Sequence, residues 1–170
     1  MYSEELKRHV LWYYKAEWKE TSFMLIWGGV HVLVSMSLLF INRSDFWLGW
    51  SIAVLPLAAI QSYTGLRIFI FDNRKNRMLV ALEQETKKVV EAEKIRVLNT
   101  QIRLKFYRLI GQFLFVVGLL LAVLGSVAEL GIFLIGSGTG LLLQSFVLMV
   151  QDLFAELRAG TYLHELDLAE

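Results

Sequence analysis

The chain has 170 residues, of which 56% are hydrophobic and 19% are charged, and its net charge is +1 at pH 7. Soluble domains contain roughly 45–50% apolar residues, so this composition excludes an ordinary soluble domain, and the balanced charge provides no basic surface for nucleic acid. The absence of cysteine excludes disulfides and thiol chemistry, and the three histidines are too far apart in sequence for a metal site. We therefore expect no cofactor, no metal and no nucleic-acid partner.

Four stretches of the chain contain no charged residue, and together they make up half of it. They cover 21–42, 46–66, 109–128 and 130–151. A helix needs about 20 apolar residues to cross a hydrocarbon core about 30 Å thick, and each stretch has at least that length. The sequence therefore predicts an all-α integral membrane protein with four transmembrane helices in contact with the lipid bilayer.

The charged residues divide the chain into five segments. We predict an amphipathic N-terminal segment, a first transmembrane hairpin, a helical segment, a second transmembrane hairpin and a tail, which cover 1–20, 21–66, 67–108, 109–151 and 152–170. The first segment has four Lys and Arg residues and the helical segment has eleven, whereas the connections within the two hairpins have only Arg43. The positive-inside rule then predicts a multi-pass protein of the cell membrane, with both termini and 67–108 in the cytoplasm.

Residues 3–20 mix apolar and charged side chains at loosely helical spacing. Two interpretations fit this pattern. An amphipathic helix can lie on the inner leaflet of the membrane, or a solvated helix can pack on the cytoplasmic segment.

The transmembrane stretches contain few polar residues. The candidates for lining a pore or for joining helices are His31, Gln61, Gln112 and Gln144. Amides in a bilayer usually form hydrogen bonds between helices, and a passive pathway lined by amides and hydroxyls is the alternative. No carboxylate lies inside a stretch, which argues against a proton- or sodium-coupled transporter.

The segment 67–108 has no Gly or Pro and is rich in helix formers, which predicts helical extensions of spans two and three into the cytoplasm. A turn is predicted at 72–76, and the following helix is predicted to run from about 77 to 124. One helix face carries an apolar stripe. We predict that a second copy of the chain covers part of it, with an oligomer interface at Leu82, Val89, Ile95, Leu98 and Ile102. A self-contained monomeric bundle is the alternative.

Glycines recur at regular spacing in the second hairpin. Gly111, Gly118 and Gly125 are seven residues apart, and Gly136 and Gly140 form a GxxxG pair. Small residues at these spacings line one helix face and allow close packing. We predict that they bring spans three and four together as a tight antiparallel hairpin, and a pore-lining role is the alternative.

The tail contains the candidates for catalysis, Arg158 and His164, in an Arg-x5-His pattern. This spacing resembles the Arg-x4–6-His signature of HEPN ribonuclease domains. The alternative is that Arg158 extends toward the interface below span four and that His164 caps a short helix, and we expect no enzymatic activity. With the small size and membrane character, the pattern resembles the accessory membrane proteins of type VI-B CRISPR loci, which are described as divergent HEPN proteins. That resemblance implies an oligomeric pore of the cell inner membrane that acts in antiviral defence against phage.

The function expected from the sequence is a non-enzymatic, homo-oligomeric membrane channel or pore. The alternative is a membrane-anchored scaffold whose cytoplasmic helix binds a protein partner.

Overall fold

The computed structural model describes residues 2–41, 44–71, 76, 78–80, 86–127 and 131–168. Within these ranges every residue except Ser44 and Gly131 is helical, and the predicted all-α class is confirmed. The four long helices are α1 (Tyr2–Ile41), α2 (Asp45–Phe71), α3 (Thr86–Val127) and α4 (Ile132–Leu168). Leu82 and nearly all of the turn predicted at 72–76 lie outside the described residues.

Each of the four helices is long and apolar enough to cross a membrane. With 40 and 42 residues, α1 and α3 are each about 60 Å long at 1.5 Å per residue. That is twice the thickness of a hydrocarbon core, so each helix combines a charge-free part with a charged part. We call the region formed by the four charge-free stretches the apolar half of the bundle, and the opposite region the charged end.

The N-terminal segment belongs to α1, which continues without a break into the first charge-free stretch. Leu6 and Val10 are buried in a hydrophobic core that also contains Val97 of α3 and Leu166 of α4. The structure therefore has the second arrangement considered for this segment, a helix packed on the other charged segments, because its apolar face meets their apolar faces.

The four helices do not contact one another equally. Among the described residues, α4 is the central helix and packs against α1, α2 and α3, and α1 also packs along α2. By contrast, the backbone of α3 comes close to α4 alone. Most of the circumference of α3 is therefore open along the apolar half.

All five predicted packing glycines lie where helices meet closely. Those of α3 face α4, and Gly136 and Gly140 of α4 face α2. A Cβ atom at Gly118 would lie 2.9 Å from the carbonyl oxygen of Gly138, and one at Gly136 would lie 2.0 Å from that of Phe46. Only glycine allows backbones to approach this closely. The three glycines of α3 therefore lie in the predicted hairpin of α3 and α4, whereas the prediction that Gly136 and Gly140 join these two helices is wrong, because both lie against α2.

Gly131, which precedes α4, has a φ of 108°, in the left-handed region that favours glycine. Its carbonyl oxygen accepts a hydrogen bond from the backbone nitrogen of Leu134 at 3.1 Å. Gly131 therefore opens the first turn of α4 from a backbone conformation that glycine adopts readily.

Candidate functional site

A row of hydrogen-bonded side chains lies inside the apolar half and joins three helices. Trp27 of α1 donates from Nε1 to Oε1 of Gln144 at 3.4 Å, and Gln144 of α4 donates from Nε2 to Oε1 of Gln61 at 2.7 Å. Gln61 of α2 in turn donates from Nε2 to Oε1 of Gln151 on α4 at 2.8 Å. We call these four residues the amide ladder. Gln144 and Gln151 both reach Gln61 because they are seven residues, or two turns, apart on α4.

The amide ladder is neutral and is shielded from solvent. Gln61, Gln144 and Gln151 are all buried. Neutral amides do not exchange protons as acids or bases near pH 7, but they donate and accept hydrogen bonds at the same time. The ladder therefore joins α1, α2 and α4 through hydrogen bonds that include Gln61 and Gln144.

His31 extends the polar row by one further turn of α1. Its Nδ1 atom lies 2.9 Å from the carbonyl oxygen of Trp27, and a carbonyl can only accept, so Nδ1 carries the proton and donates it. The imidazole also lies against two indole rings, at 4.3 Å from Trp27 and 6.1 Å from Trp50 between ring centroids. These contacts place His31 between α1 and α2 as a packing residue.

Gln112 lies apart from the other predicted polar residues. Its side chain is exposed on α3, and among the described residues the backbone of α3 does not come close to that of α1 or α2. Of the four polar candidates, the structure thus brings Gln61 and Gln144 together, places His31 next to them and leaves Gln112 on the outside.

A second polar cluster fills the core of the charged end, and Glu93 of α3 is its centre. Arg96 donates from Nε and Nη2 to the two carboxylate oxygens of Glu93, at 2.8 and 2.7 Å. Tyr14 of α1 and Tyr162 of α4 donate their hydroxyls to Oε1 of Glu93, at 3.1 and 3.4 Å. Tyr13 stacks on Tyr162, with ring centroids 4.2 Å apart. We call these five residues the Glu93 cluster.

The surroundings of the Glu93 cluster keep the hydroxyls of Tyr14 and Tyr162 and the guanidinium of Arg96 protonated. Burial raises the pKa of the Tyr14 and Tyr162 hydroxyls, so both stay protonated and remain donors. Burial by itself would lower the pKa of Arg96, but the hydrogen bonds and charge of Glu93 outweigh it and raise that pKa. Tyr14 and Tyr162 therefore act as hydroxyl donors and Arg96 as a cation beside the carboxylate oxygens of Glu93.

Further ion pairs connect the helices around this cluster. Arg158 of α4 lies 2.5 Å from Glu20 of α1, measured from Nη2 to Oε2. Lys94 of α3 lies 2.8 Å from Asp167 of α4, measured from Nζ to Oδ1. Arg108 of α3 also pairs with Glu156 of α4. These pairs hold α4 to α1 on one side and to α3 on the other.

Arg158 and His164 do not form a joint site. Six residues on one helix differ by about 240° in direction. Arg158 is turned inward, toward Glu20 and over the ring of Tyr13 at 5.7 Å, while His164 is exposed. The suggestion that His164 caps a short helix is wrong, because α4 continues without interruption to Leu168. Arg158 therefore joins helices instead of extending freely toward the interface.

The open side of α3 carries a seven-residue repeat of apolar side chains. Ile95, Ile102, Leu109, Val116 and Val123 are each seven residues apart, and each is between 48 and 61% exposed. A second exposed row lies beside the first and contains Leu98, Lys105, Gln112, Leu119 and Ser126. We call these ten residues the outward face of α3. It runs from the charged end far into the apolar half.

The predicted oligomer interface only partly coincides with the outward face. Ile95, Leu98 and Ile102 are exposed on it. Val89, however, packs against the buried core of the charged end, so its side chain is already used within the chain. Leu82 lies outside the described residues.

No family model, curated protein or solved structure matches this chain. The resemblance drawn from Arg158 and His164 therefore stays an expectation.

Sequence reasoning missed the Glu93 cluster and the donor role of Trp27. Glu93 and Arg96 are three residues apart, the spacing of an ordinary surface pair on a helix, and only the positions of α1 and α4 bury them. The regular spacing of Ile95, Ile102 and Leu109 was the signal in the sequence that could have shown that the exposed row continues into the third charge-free stretch.

Proposed function

We propose that the apolar half of this chain spans the cell membrane and that the charged end lies in the cytoplasm. The four apolar helices and the concentration of Lys and Arg at one end support this orientation. At the boundary between the two regions, Trp18 of α1 lies beside Phe69 of α2, with ring centroids 5.7 Å apart. Aromatic rings are enriched at the level of the lipid headgroups.

In this orientation the protein is a non-enzymatic subunit of a homo-oligomeric channel. The observation that carries the proposal is the outward face of α3, a long exposed apolar surface on a helix whose backbone, among the described helices, comes close to α4 alone. The amide ladder and the Glu93 cluster occupy the inside of the subunit. A conducting path would therefore run between subunits, next to α3. A channel of this kind in the cell inner membrane would suit the role in phage defence that the resemblance implies.

Two measurements on the purified protein test this function. Native mass spectrometry from lipid nanodiscs should show a defined multiple of 19.6 kDa. Planar bilayers that contain the same preparation should show discrete conductance steps, whereas empty nanodiscs should show none.

A membrane-anchored scaffold is the second candidate function. It is favoured by Ile95 and Leu98, which are exposed at the charged end, where a soluble protein could cover them. An oligomer without conductance would contradict the channel, and a monomer without conductance would leave the scaffold as the better explanation.

A further inference from the structure

We propose that adjacent copies of this chain bind each other through the outward face of α3, with the two α3 helices parallel and side by side. This contact rests on the homo-oligomer proposed above and names the surface that forms it. The argument uses the length of the outward face, its division between two environments and the identity of its polar residues.

Lipid cannot cover the whole outward face. Ile102, Leu98 and Ile95 precede Leu109, the first residue of the third charge-free stretch, by seven, eleven and fourteen residues. At 1.5 Å per residue they lie about 10, 16 and 21 Å beyond the apolar segment. The headgroup layer on each side of a bilayer is only about 5–7 Å thick. Leu98 and Ile95 would thus be in water, where large apolar side chains are unfavourable.

A soluble partner cannot cover the whole face either. Ile95 and Val123 are 28 positions apart, or about 42 Å along the helix. The part of the repeat from Leu109 to Val123 lies in the apolar half of the bundle. Only a partner surface that passes from water into lipid at the same depth can contact the repeat along its full length. In a second α3 this transition lies at the same residue, because the sequence is identical.

The two copies also match in register. Copies inserted in the same orientation place identical residues at the same depth, so Val116 meets Val116 and Gln112 meets Gln112. An amide carries both a donor and an acceptor, and a Gln112 pair can therefore satisfy itself where lipid offers no partner. Lys105 lies at the membrane boundary, where its long side chain can direct its ammonium group to the headgroups and away from its copy.

The repeat also determines how the helices cross. Four successive intervals of seven residues separate Ile95 from Val123, and runs of three to four heptads are typical of coiled coils. A straight α-helix drifts about 20° per heptad relative to this repeat. The two α3 helices should therefore cross with the left-handed geometry of a coiled coil.

Single cysteines test the contact directly, because the natural chain has none. Ile102→Cys, Leu109→Cys and Val116→Cys are each oxidised in native membranes, and the disulfide-linked fraction is measured on a non-reducing gel. Leu33→Cys on α1 and Ile60→Cys on α2 are the matched controls, since these side chains are 68% and 64% exposed in the apolar half. A disulfide requires Cα atoms about 4.4–6.8 Å apart. We expect linked dimers at the three α3 positions and at least ten-fold less at the controls.

Further variants, each combined with Val116→Cys, are compared by the yield of the disulfide at that position. Ile95→Glu combined with Ile102→Glu should lower it at least ten-fold, while Thr161→Glu, an exposed position of α4, should leave it unchanged. Gln112→Leu should weaken association roughly three- to ten-fold, the range that one amide contact between transmembrane helices provides. The thermal melting of each variant shows whether the subunit itself is still folded.

The outcomes separate this contact from the proposed function. An oligomer in native mass spectrometry whose α3 cysteines do not link, or link no better than the controls, overturns the α3 contact and leaves the channel standing. A monomer overturns both. Linkage at α3 without conductance supports the contact and contradicts the channel.

Discussion

At the scale of single residues, two kinds of residue hold the helices of the apolar half together. Glycines bring backbones into contact, and buried amides join helices that would otherwise meet only apolar side chains. Because lipid is as apolar as leucine, burial of apolar surface does not favour helix association inside a bilayer, and close packing and hydrogen bonds must do so. Gly118 and Gln61 represent these two contributions.

Gly118→Leu should destabilise the α3–α4 hairpin. The new Cβ would lie 2.9 Å from the carbonyl oxygen of Gly138 and 3.0 Å from Cβ of Leu141, so the helices must separate. Overpacking of this kind costs roughly 1–3 kcal/mol, and the melting temperature in detergent should fall accordingly. Leu120→Ile on the exposed side of α3 should melt like the natural protein. Equal melting of the two variants would mean that Gly118 does not face α4.

Gln61→Leu should interrupt the amide ladder. It removes the acceptor of Gln144 and the donor to Gln151, at about 1–3 kcal/mol for two such hydrogen bonds. Gln112→Leu is the matched control, because it removes the same amide from an exposed position of α3. Melting is measured at a detergent concentration at which the protein is monomeric. If Gln112→Leu destabilised the monomer as much as Gln61→Leu, the ladder would not be a stabilising contact.

At the scale of the elements, α4 connects all the others. In the apolar half it joins α1 and α2 through Gln144 and Gln151, and at the charged end it joins α1 through Arg158. In the apolar half the helix α3 is held along one side only, by its glycines, whereas at the charged end Arg108 and Lys94 join it to α4 and Glu93 joins it to α1 as well. This one-sided attachment in the apolar half is the reason that the outward face of α3 is exposed.

Glu93→Gln should loosen the junction of α1, α3 and α4. It removes the carboxylate that accepts from Arg96, Tyr14 and Tyr162 and leaves the guanidinium without its counter-charge. Losing hydrogen bonds to a buried charge costs about 2–3 kcal/mol, which chemical denaturation can measure. Glu91→Gln, an exposed position two residues earlier on α3, should change the stability by less than about 0.5 kcal/mol. Similar losses for both variants would contradict a central role for Glu93.

The orientation of the helices can be tested with single cysteines. Ser44→Cys and Glu129→Cys lie in the two connections that carry few positive charges, whereas Lys88→Cys lies in the segment with eleven. The positive-inside rule predicts that an impermeant maleimide labels the first two in intact cells. Lys88→Cys should react only after the membrane is permeabilised. Labelling of Lys88→Cys in intact cells would reverse the proposed topology.

At the scale of the whole molecule, stability and assembly should be linked. A subunit that binds a second copy only when folded is stabilised by mass action. The melting temperature of the natural protein should therefore rise by roughly 2 °C for each ten-fold increase in the ratio of protein to detergent, as expected for a protein of this size. The Ile95→Glu, Ile102→Glu variant should show no such rise. A melting temperature that is independent of this ratio for the natural protein would indicate a monomer.

The sequence by itself determined the helical class and the four apolar helices, because a charge inside a bilayer is so unfavourable that the charge-free stretches mark them directly. It also located the glycines and two of the interhelical amides, since regular spacing on a helix places residues on one face. Only the tertiary structure decided that Glu93 is buried, that Val89 faces the core while Ile95 faces outward, and that Arg158 and His164 point apart. These outcomes depend on which side of α3 and α4 the other helices occupy, and a helical period describes a face without saying what lies against it.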